Sequence, residues 1–420
     1  MQNYKITKAA AYTANLSMSA VGTVSPLLFS TFYSQYHISY GLLGLLVLIN
    51  FCTQLLIDLI FSFYSHKFNI KLTVRIMPIL TAAGILMYAL LPILFPSAAF
   101  IGLAAGTVVF AVSGGLTEVL ISPIIAAIPS ENPEREMSKL HSVYAWGVVG
   151  VVLISSAVLS LIGTNNWYFM ALGWAIVPTV GAILFFMSDI PQMPTPEKTS
   201  GAVKIFTDKS VLLCVLCIFF GGASECTMSQ WSSGFLEQAL NISKLQGDIF
   251  GVAAFALMLG LGRTLYGLFG KNIYRILIGG SLGAAICYVT AAITYIPVIG
   301  LIACALTGFF TSMLWPGSLI ASSDHCPNCN VAVFALMAAG GDLGASVGPQ
   351  VTGIIADSII ANPSLSNLAQ TLGLSADQLG MKAGILFSAI YPIAAFICFI
   401  ILCKIAIKKK SALPLNRETN

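Results

Sequence analysis

Apolar residues fill this chain in long blocks, separated by short stretches rich in Pro, Gly, Asn, Ser and Lys. Blocks occur at about 8–33, 40–64, 74–95, 98–128, 140–162, 167–188, 209–236, 247–269, 273–295, 297–321, 331–360 and 382–407. A helix needs roughly 20 apolar residues to cross a bilayer's hydrocarbon core. Backbone polar groups find no partner in lipid, so each block is expected to be a helix that satisfies its own N–H and C=O groups. The two-residue alternation of an outer-membrane barrel is absent. The predicted fold class is therefore all-α integral membrane, with twelve transmembrane helices. The first block is too long for a signal-peptide core and no small-residue cleavage site follows it, so it is expected to be retained.

The longest polar interruption is 189–208, with Pro191, Pro194, Pro196, Glu197 and Lys198. It lies near mid-chain and reads as a cytoplasmic linker. This predicts an N-terminal six-helix bundle over 1–188 and a C-terminal bundle with a tail over 209–420. One weak repeat agrees. Asp58 precedes Ser62 by four, as Arg263 precedes Gly267, near the same end of the second helix of each half. Parallel six-helix repeats with a site between them near the midplane are a transporter architecture.

Composition strengthens the membrane assignment. Hydrophobic residues make up 57% and charged residues 9% of the 420 residues, with mean hydropathy +0.89. A soluble chain carries about 25% charge, so there is too little here to cover a water-facing surface. The position of the charges adds orientation. With the N-terminus in the cytoplasm, one face receives every Lys and Arg except Lys244 and Lys382. That is the positive-inside bias, and it predicts a multi-pass plasma-membrane protein with both termini cytoplasmic. A missed helix would scramble the bias.

Most of the 10 cysteines (Cys52, Cys214, Cys217, Cys226, Cys287, Cys304 and Cys398 among them) lie in apolar blocks, where Cys behaves as a small hydrophobe. Cys326-Pro-Asn-Cys329 follows His325 on an expected cytoplasmic loop. A closed zinc site needs four ligands and no second pair is in view, so no metal is expected.

With these features in place, the chain is similar to the major facilitator superfamily, whose second-to-third-helix loop carries a G-x-x-x-D-R-x-G-R-K pattern. Ser62-Phe-Tyr-Ser-His66-Lys67-Phe-Asn69-Ile-Lys71 is a degraded version, with His66 where the acid is expected. Gly262-Arg263-Thr-Leu-Tyr-Gly267-Leu-Phe-Gly270-Lys271 is closer to type. The resemblance implies gating or structural charges at Asp58, His66, Lys67 and Arg263. More narrowly, Gly115-Leu-Thr-Glu118-Val-Leu-Ile-Ser122-Pro123 with Leu140-His141 resembles helices four and five of the fucose–galactose–glucose:proton symporters. Gly222-Ala-Ser-Glu225 with Trp231, then Leu261-Gly262-Arg263, resembles helices seven and eight of sugar-permease relatives. The fucose-type acid of helix one is missing, since Tyr12 to Phe32 holds no charge.

A charged side chain at a helix centre in lipid costs about 2.5–3.5 kcal/mol by insertion scales, so the few ionisable groups inside the apolar blocks are the candidates for function. Glu118 lies roughly 15 Å from the cytoplasmic end of its helix; it reads as a proton site or hydroxyl acceptor, or as a carboxyl packed against a neighbour. Glu225 sits among Ser224, Thr227, Ser229 and Gln230, with Trp231 following. Carboxylate, amide and indole together suit a sugar, whose hydroxyls bond and whose C–H face stacks; alternatively Trp231 belongs to the interfacial aromatic belt. Asp342 lies in the Gly-rich run Gly340 to Pro349, which permits close helix packing. Glu118, Glu225 and Asp342 are the candidate proton-coupling groups. Glu225, Trp231, Gln230, His141, Tyr144 and Trp315 are the candidate substrate-binding groups, and Asn50, Gln54 and Trp146 are further lining or plain packing.

The function this predicts is secondary active transport of a small polar solute of the sugar kind, by alternating access and driven by protons. Proton-coupled efflux of amphipathic compounds is the alternative within transporters. A transporter-like sensor and a membrane-embedded enzyme are the alternatives outside it. No two His share a helix face at metal-ligand spacing, no nucleophile dyad is evident, and no phosphate-binding G-x-x-x-x-G-K-[ST] loop occurs. No cofactor is expected beyond the proton gradient. The implied partners are a small-molecule substrate and the lipid bilayer, without nucleic acid, and a monomer is expected.

Overall fold

The computed structural model describes residues 4–64, 67–130, 133–191, 209–325 and 331–412. His66, most of the mid-chain linker, and the Cys326–Cys329 motif lie outside them, as does the side chain of His141. The described residues form twelve long helical segments. The first half contributes Lys5–Leu27 continued past Leu28 by Phe29–Tyr36, then Tyr40–Tyr64, Ile70–Leu94, Ala99–Ala127, Pro133–Ile162, and Trp167–Trp174 with Ile176–Met187. The second half contributes Lys209–Leu240, Lys244–Phe269, Ile273–Ile293, Pro297–Thr311 with Leu314–His325, Val331–Ile360, and Ala376–Ser388 with Ile390–Ala412. They are called the first to twelfth helices below. A short helix not expected from the sequence, Pro363–Thr371, links the last two.

Eleven segments are long and apolar enough to cross a membrane by length and composition. The first helix falls short because its buried face is polar: Thr7, Asn15, Ser17, Ser19 and Thr23 are all buried. These groups find partners on neighbouring elements. Asn15 donates to the Leu140 carbonyl at 2.9 Å, Ser19 to that of Tyr144 at 2.9 Å, and Thr7 to that of Asp189 at 2.9 Å. The helix is thus held by hydrogen bonds to protein where an apolar helix relies on lipid and packing alone. It also begins earlier than its apolar block, as do the fifth, eighth and twelfth helices, since polar first turns are helical but invisible to hydropathy. The twelfth opens with a full capping box at Ser375 and Gln378.

The two halves repeat in structure more clearly than in sequence. The first helix ends at His37 and the seventh at Asn241, each a left-handed non-glycine residue (φ 54° and 53°). In both places the next N–H reaches back six residues, Ile38 to the Phe32 carbonyl and Ile242 to that of Leu236. Each helix thus stops at a left-handed C-terminal residue, with an orphan carbonyl of its last turns satisfied from beyond the helix. Ile-Ser follows each left-handed residue, as Ile38-Ser39 and Ile242-Ser243, and the second helix of each half starts there.

Three apolar cores show how the halves sit. One lies wholly in the first half, near the face that carries the N-terminus, with Phe61, Val74, Ile121, Leu140 and Phe185. One lies wholly in the second half on the same face, with Val211, Leu277, Leu314 and Phe399. The third lies at the far face and is shared, joining Phe29, Phe32, Tyr40 and Trp167 to Trp231, Phe235 and Tyr288. The halves are packed together at the far face and separate towards the terminal face.

Candidate functional site: a cavity between the halves

Hydrogen bonds close the far end of the seam. The eleventh-helix carboxylate Asp357 accepts from the N–H groups of Tyr40 (2.9 Å) and Gly41 (2.7 Å), at the start of the second helix. These are N–H groups that no intrahelical carbonyl serves. A side chain at Gly41 would press on the Asp357 carboxylate, which would have to shift. Gln350 donates to the Gly41 carbonyl at 3.2 Å, Tyr33 donates to Asp377, and Ser156 donates to Asp248 at 3.0 Å. Asp248 is fully buried and paired with Lys244 at 2.7 Å. It opens the π-helical turn Asp248–Ala253, which follows the first turn of the eighth helix; such turns are frequent at functional sites.

Below this closure lies a cavity, an open space of about 1140 Å³ with the adjoining solvent included. Helices one, two, four and five of the first half line it, with helices seven and eight of the second. Its polar lining includes Thr23, Asn50, Gln54, Tyr144, Glu225, Ser229, Gln230 and Arg263, and its aromatic walls are Phe51 and Phe255. At one wall Arg263 donates through Nη2 to both oxygens of Glu225, at 3.2 and 3.3 Å. Its Nε donates to the Ser312 carbonyl at 3.0 Å. That carbonyl is free because its helical partner would be residue 316, a proline without an N–H. The break of the tenth helix after Thr311 therefore anchors the guanidinium.

The structure brings several predicted residues to this cavity and places others elsewhere. Glu225, Gln230 and Tyr144 line it, as do Asn50 and Gln54. Arg263, expected as a gating or structural charge at the helix end, is part of the lining and pairs with Glu225. Trp231 is 0% exposed and points away: its ring lies tilted against Phe29 (5.1 Å) and edge-on to Tyr40 (6.0 Å), and its indole N–H donates to the Pro349 carbonyl at 2.9 Å. The expected indole platform beside Glu225 is therefore not formed. Trp315 packs over Gly222 and Gly341, whose missing side chains leave room for its ring. Trp146 is 68% exposed and outside the lining. Lys67 sits over the Tyr64 ring at 4.9 Å.

Glu118 is within electrostatic range of Tyr144, Asp58 and Asp342, so two of the candidate coupling acids, on helices four and eleven, converge with Asp58 of helix two. Asp342 is 8% exposed, and Asp58 lies against Gly115 with Oδ1 buried and unpartnered. Among the described residues no group of three His, Cys, Asp or Glu side chains is arranged to hold a metal. Sequence reasoning missed the closing residues Asp357, Asp377 and Asp248, and the first-helix lining Met18, Gly22 and Thr23. The acids sit near helix ends, where charge is unremarkable, and the first-helix residues carry no charge to draw notice.

The Major Facilitator Superfamily model matches residues 11–349. An uncharacterised MFS-type transporter of Yersinia pestis is 26% identical over 286 residues, covering 66% of this chain and 72% of that one. Among solved structures, a bacterial homologue of the human lysosomal transporter Spinster, inward-facing and occupied, superposes with a TM-score of 0.71 at 14% identity, over 96% of this chain and 97% of that one. A D-xylose–proton symporter gives 0.71 at 14% identity over 92% and 96%, and the POT family transporter PepTSo gives 0.72 at 12% over 97% and 99%. At these identities the structures speak for the fold alone. The family match over most of the chain, on a fold of two six-helix halves around a central cavity, makes this chain a member of the Major Facilitator Superfamily, a multi-pass secondary transporter and not an enzyme.

Proposed function

We propose that the chain carries a small polar solute of the sugar kind through the central cavity, coupled to protons and by alternating access. The observation that carries this reading is the lining itself. Amides, hydroxyls and a Glu–Arg pair from both halves surround one space, with aromatic faces between them. A site that pairs with hydroxyls discriminates strongly against solutes lacking them, whereas a drug site relies on adaptable apolar area. Coupling rests on Glu118, Glu225 and Asp342, carboxyls in or beside the cavity. The likeness of Gly115 to Pro123 to the fucose-type symporters, and the shared fold of a D-xylose–proton symporter, support it. On this reading the protein is a plasma-membrane monomer with cytoplasmic termini, the cavity opens to the cytoplasm, and the bundles span 1–188 and 209–420.

The test is uptake into proteoliposomes under an imposed inward proton gradient, with labelled sugars and lipophilic cationic dyes run in parallel. Accumulation of a sugar that collapses when the gradient is dissipated is the expected result. Dye movement out of the lumen with no response to any sugar would replace this reading with efflux.

A further inference from the structure

Resting on that reading, the geometry points to a narrower solute class: the carried molecule is a hydroxy acid of sugar size, whose carboxylate takes Arg263 while Glu225 takes up a proton. Arg263 is the one cation among the lining residues of the cavity. Its Nε is committed to Ser312 and its Nη2 to Glu225, but among the described residues Nη1 has no protein acceptor. The side chain is 45% exposed, against 15% for Glu225. A guanidinium presents its donors as a planar fork that matches a carboxylate with two parallel hydrogen bonds. Here Glu225 meets that fork through one nitrogen only, leaving the better geometry for an incoming anion.

The first half of the lining offers an acceptor for a hydroxyl. Asn50, from the second helix, is 8% exposed, lines the same cavity, and has its Oδ1 buried without a partner. An unpaired buried acceptor is costly to leave unmet, and a solute O–H would satisfy it. Carboxylate at Arg263 and hydroxyl donor at Asn50 define a hydroxy acid.

Charge links the anion to the proton. Around Glu225 stand Arg263 from the eighth helix, Tyr144 from the fifth and Cys226 on its own helix, with the acids Glu118 and Asp342 one neighbour further out, beside Tyr144 and Cys226, and Asp58 beside those two acids. Arg263 is the only cation in that set. When a solute carboxylate takes the guanidinium, Glu225 loses its counter-charge and faces a second carboxylate, and a proton on its own carboxyl restores the balance. One anion and one proton enter together, and the net charge of the site is unchanged. Because binding takes up a proton, it strengthens as pH falls.

The full-length protein, purified in detergent, is titrated by calorimetry with hexoses and with their uronic and aldonic acids, D-glucose against D-glucuronate and D-gluconate among them. The titrations are repeated at pH 6 and pH 8, with proton uptake followed by an indicator in weak buffer. The acids are expected to bind at least roughly tenfold more tightly than the neutral sugars, as a charge-assisted hydrogen bond implies, with uptake of a proton. Arg263→Gln should abolish that preference. Arg263→Lys, which keeps the charge and loses the fork, should retain only part of it, and Glu225→Gln should bind the acid without proton uptake. The double variant Arg263→Gln/Glu225→Gln strands no charge and controls for folding. Neutral sugars binding as tightly as the acids, or acid affinity indifferent to Arg263→Gln, would overturn the inference and leave the sugar reading standing. Binding by neither panel would remove both.

Discussion

At the residue scale the seventh helix separates two roles that its sequence places side by side. At about 100° per residue, Glu225, Cys226, Ser229 and Gln230 form one arc that faces the cavity, and Trp231 points nearly opposite its centre. Glu225→Ala should weaken solute binding by more than about 1 kcal/mol, the loss of a hydrogen bond to a charged group. Trp231→Ala should instead destabilise the fold by about 3–5 kcal/mol, the range for truncating a large buried aromatic, and leave the affinity of the folded fraction unchanged. Thermal unfolding and solute titration of the two variants separate the roles; Trp231→Ala with normal stability and lost binding would return the indole to the site. Glu118→Gln keeps the shape of the side chain but cannot cycle a proton. Because Glu118 is one of the three coupling carboxyls, the variant is expected to abolish gradient-driven accumulation while sparing exchange, and accumulation that persists would leave coupling to Glu225 and Asp342 alone.

At the element scale, contacts between helices set which face is closed. Asp357 holds the second helix by its N-terminus, where a negative charge is favourable. Asp357→Ala removes two charge-assisted hydrogen bonds from the closure, each worth about 1.5–3 kcal/mol. Cys226, in the cavity lining, should then react several-fold faster with a membrane-impermeant thiol reagent added at the far face, read by peptide mass spectrometry. An unchanged rate would mean that the shared apolar core holds the closure alone. Outside the membrane-spanning segments, Glu136 of the fifth helix joins Lys8 of the first at 2.7 Å and Lys139 at 2.8 Å. Their hydrogen bonds, Lys139 first and then Lys8, push its carboxyl down to about 2 from 4.5. A carboxyl lowered in the folded state contributes stability that is fully present above its unfolded value and lost as pH falls towards the folded one. The melting-temperature advantage of wild type over Glu136→Gln should therefore be constant above pH 5 and shrink between pH 4.5 and 2. A difference independent of pH would show that the pair contributes nothing through charge.

At the scale of the whole molecule, the alternation of helices puts 163–166 and the Pro363–Thr371 helix at the face opposite the N-terminus. With that terminus in the cytoplasm, cysteine introduced at Asn165 or Ser364 should be labelled by an impermeant reagent added to intact cells, and cysteine at Thr195 should not. Labelling of Thr195 would invert the topology. The same halves, packed at one face and separate at the other, are what an alternating-access carrier requires, because the closed face is a hydrogen-bonded seam and a shared core that can part.

Much of this was legible in one dimension because lipid imposes a one-dimensional rule. Length of apolar run decides which residues are helical and within the membrane, and the scarcity of intramembrane charge singles out Glu118, Glu225 and Asp342. Hydropathy could not register the first helix as fully apolar, because its Asn15 and Ser19 are satisfied by carbonyls of the fifth helix more than a hundred residues away. Nor could spacing along the chain tell that Arg263 turns inward to Glu225, since the carbonyl that anchors it is freed by a proline two helices further on. Trp231 went astray for the same reason: adjacency in sequence is angular separation on a helix. The sequence by itself determined how many helices there are and which residues are too costly to bury without purpose. Which of those residues meet, and at which face the halves close, was decided only by the tertiary structure, because helix rotation and inter-half packing depend on partners distant in the chain.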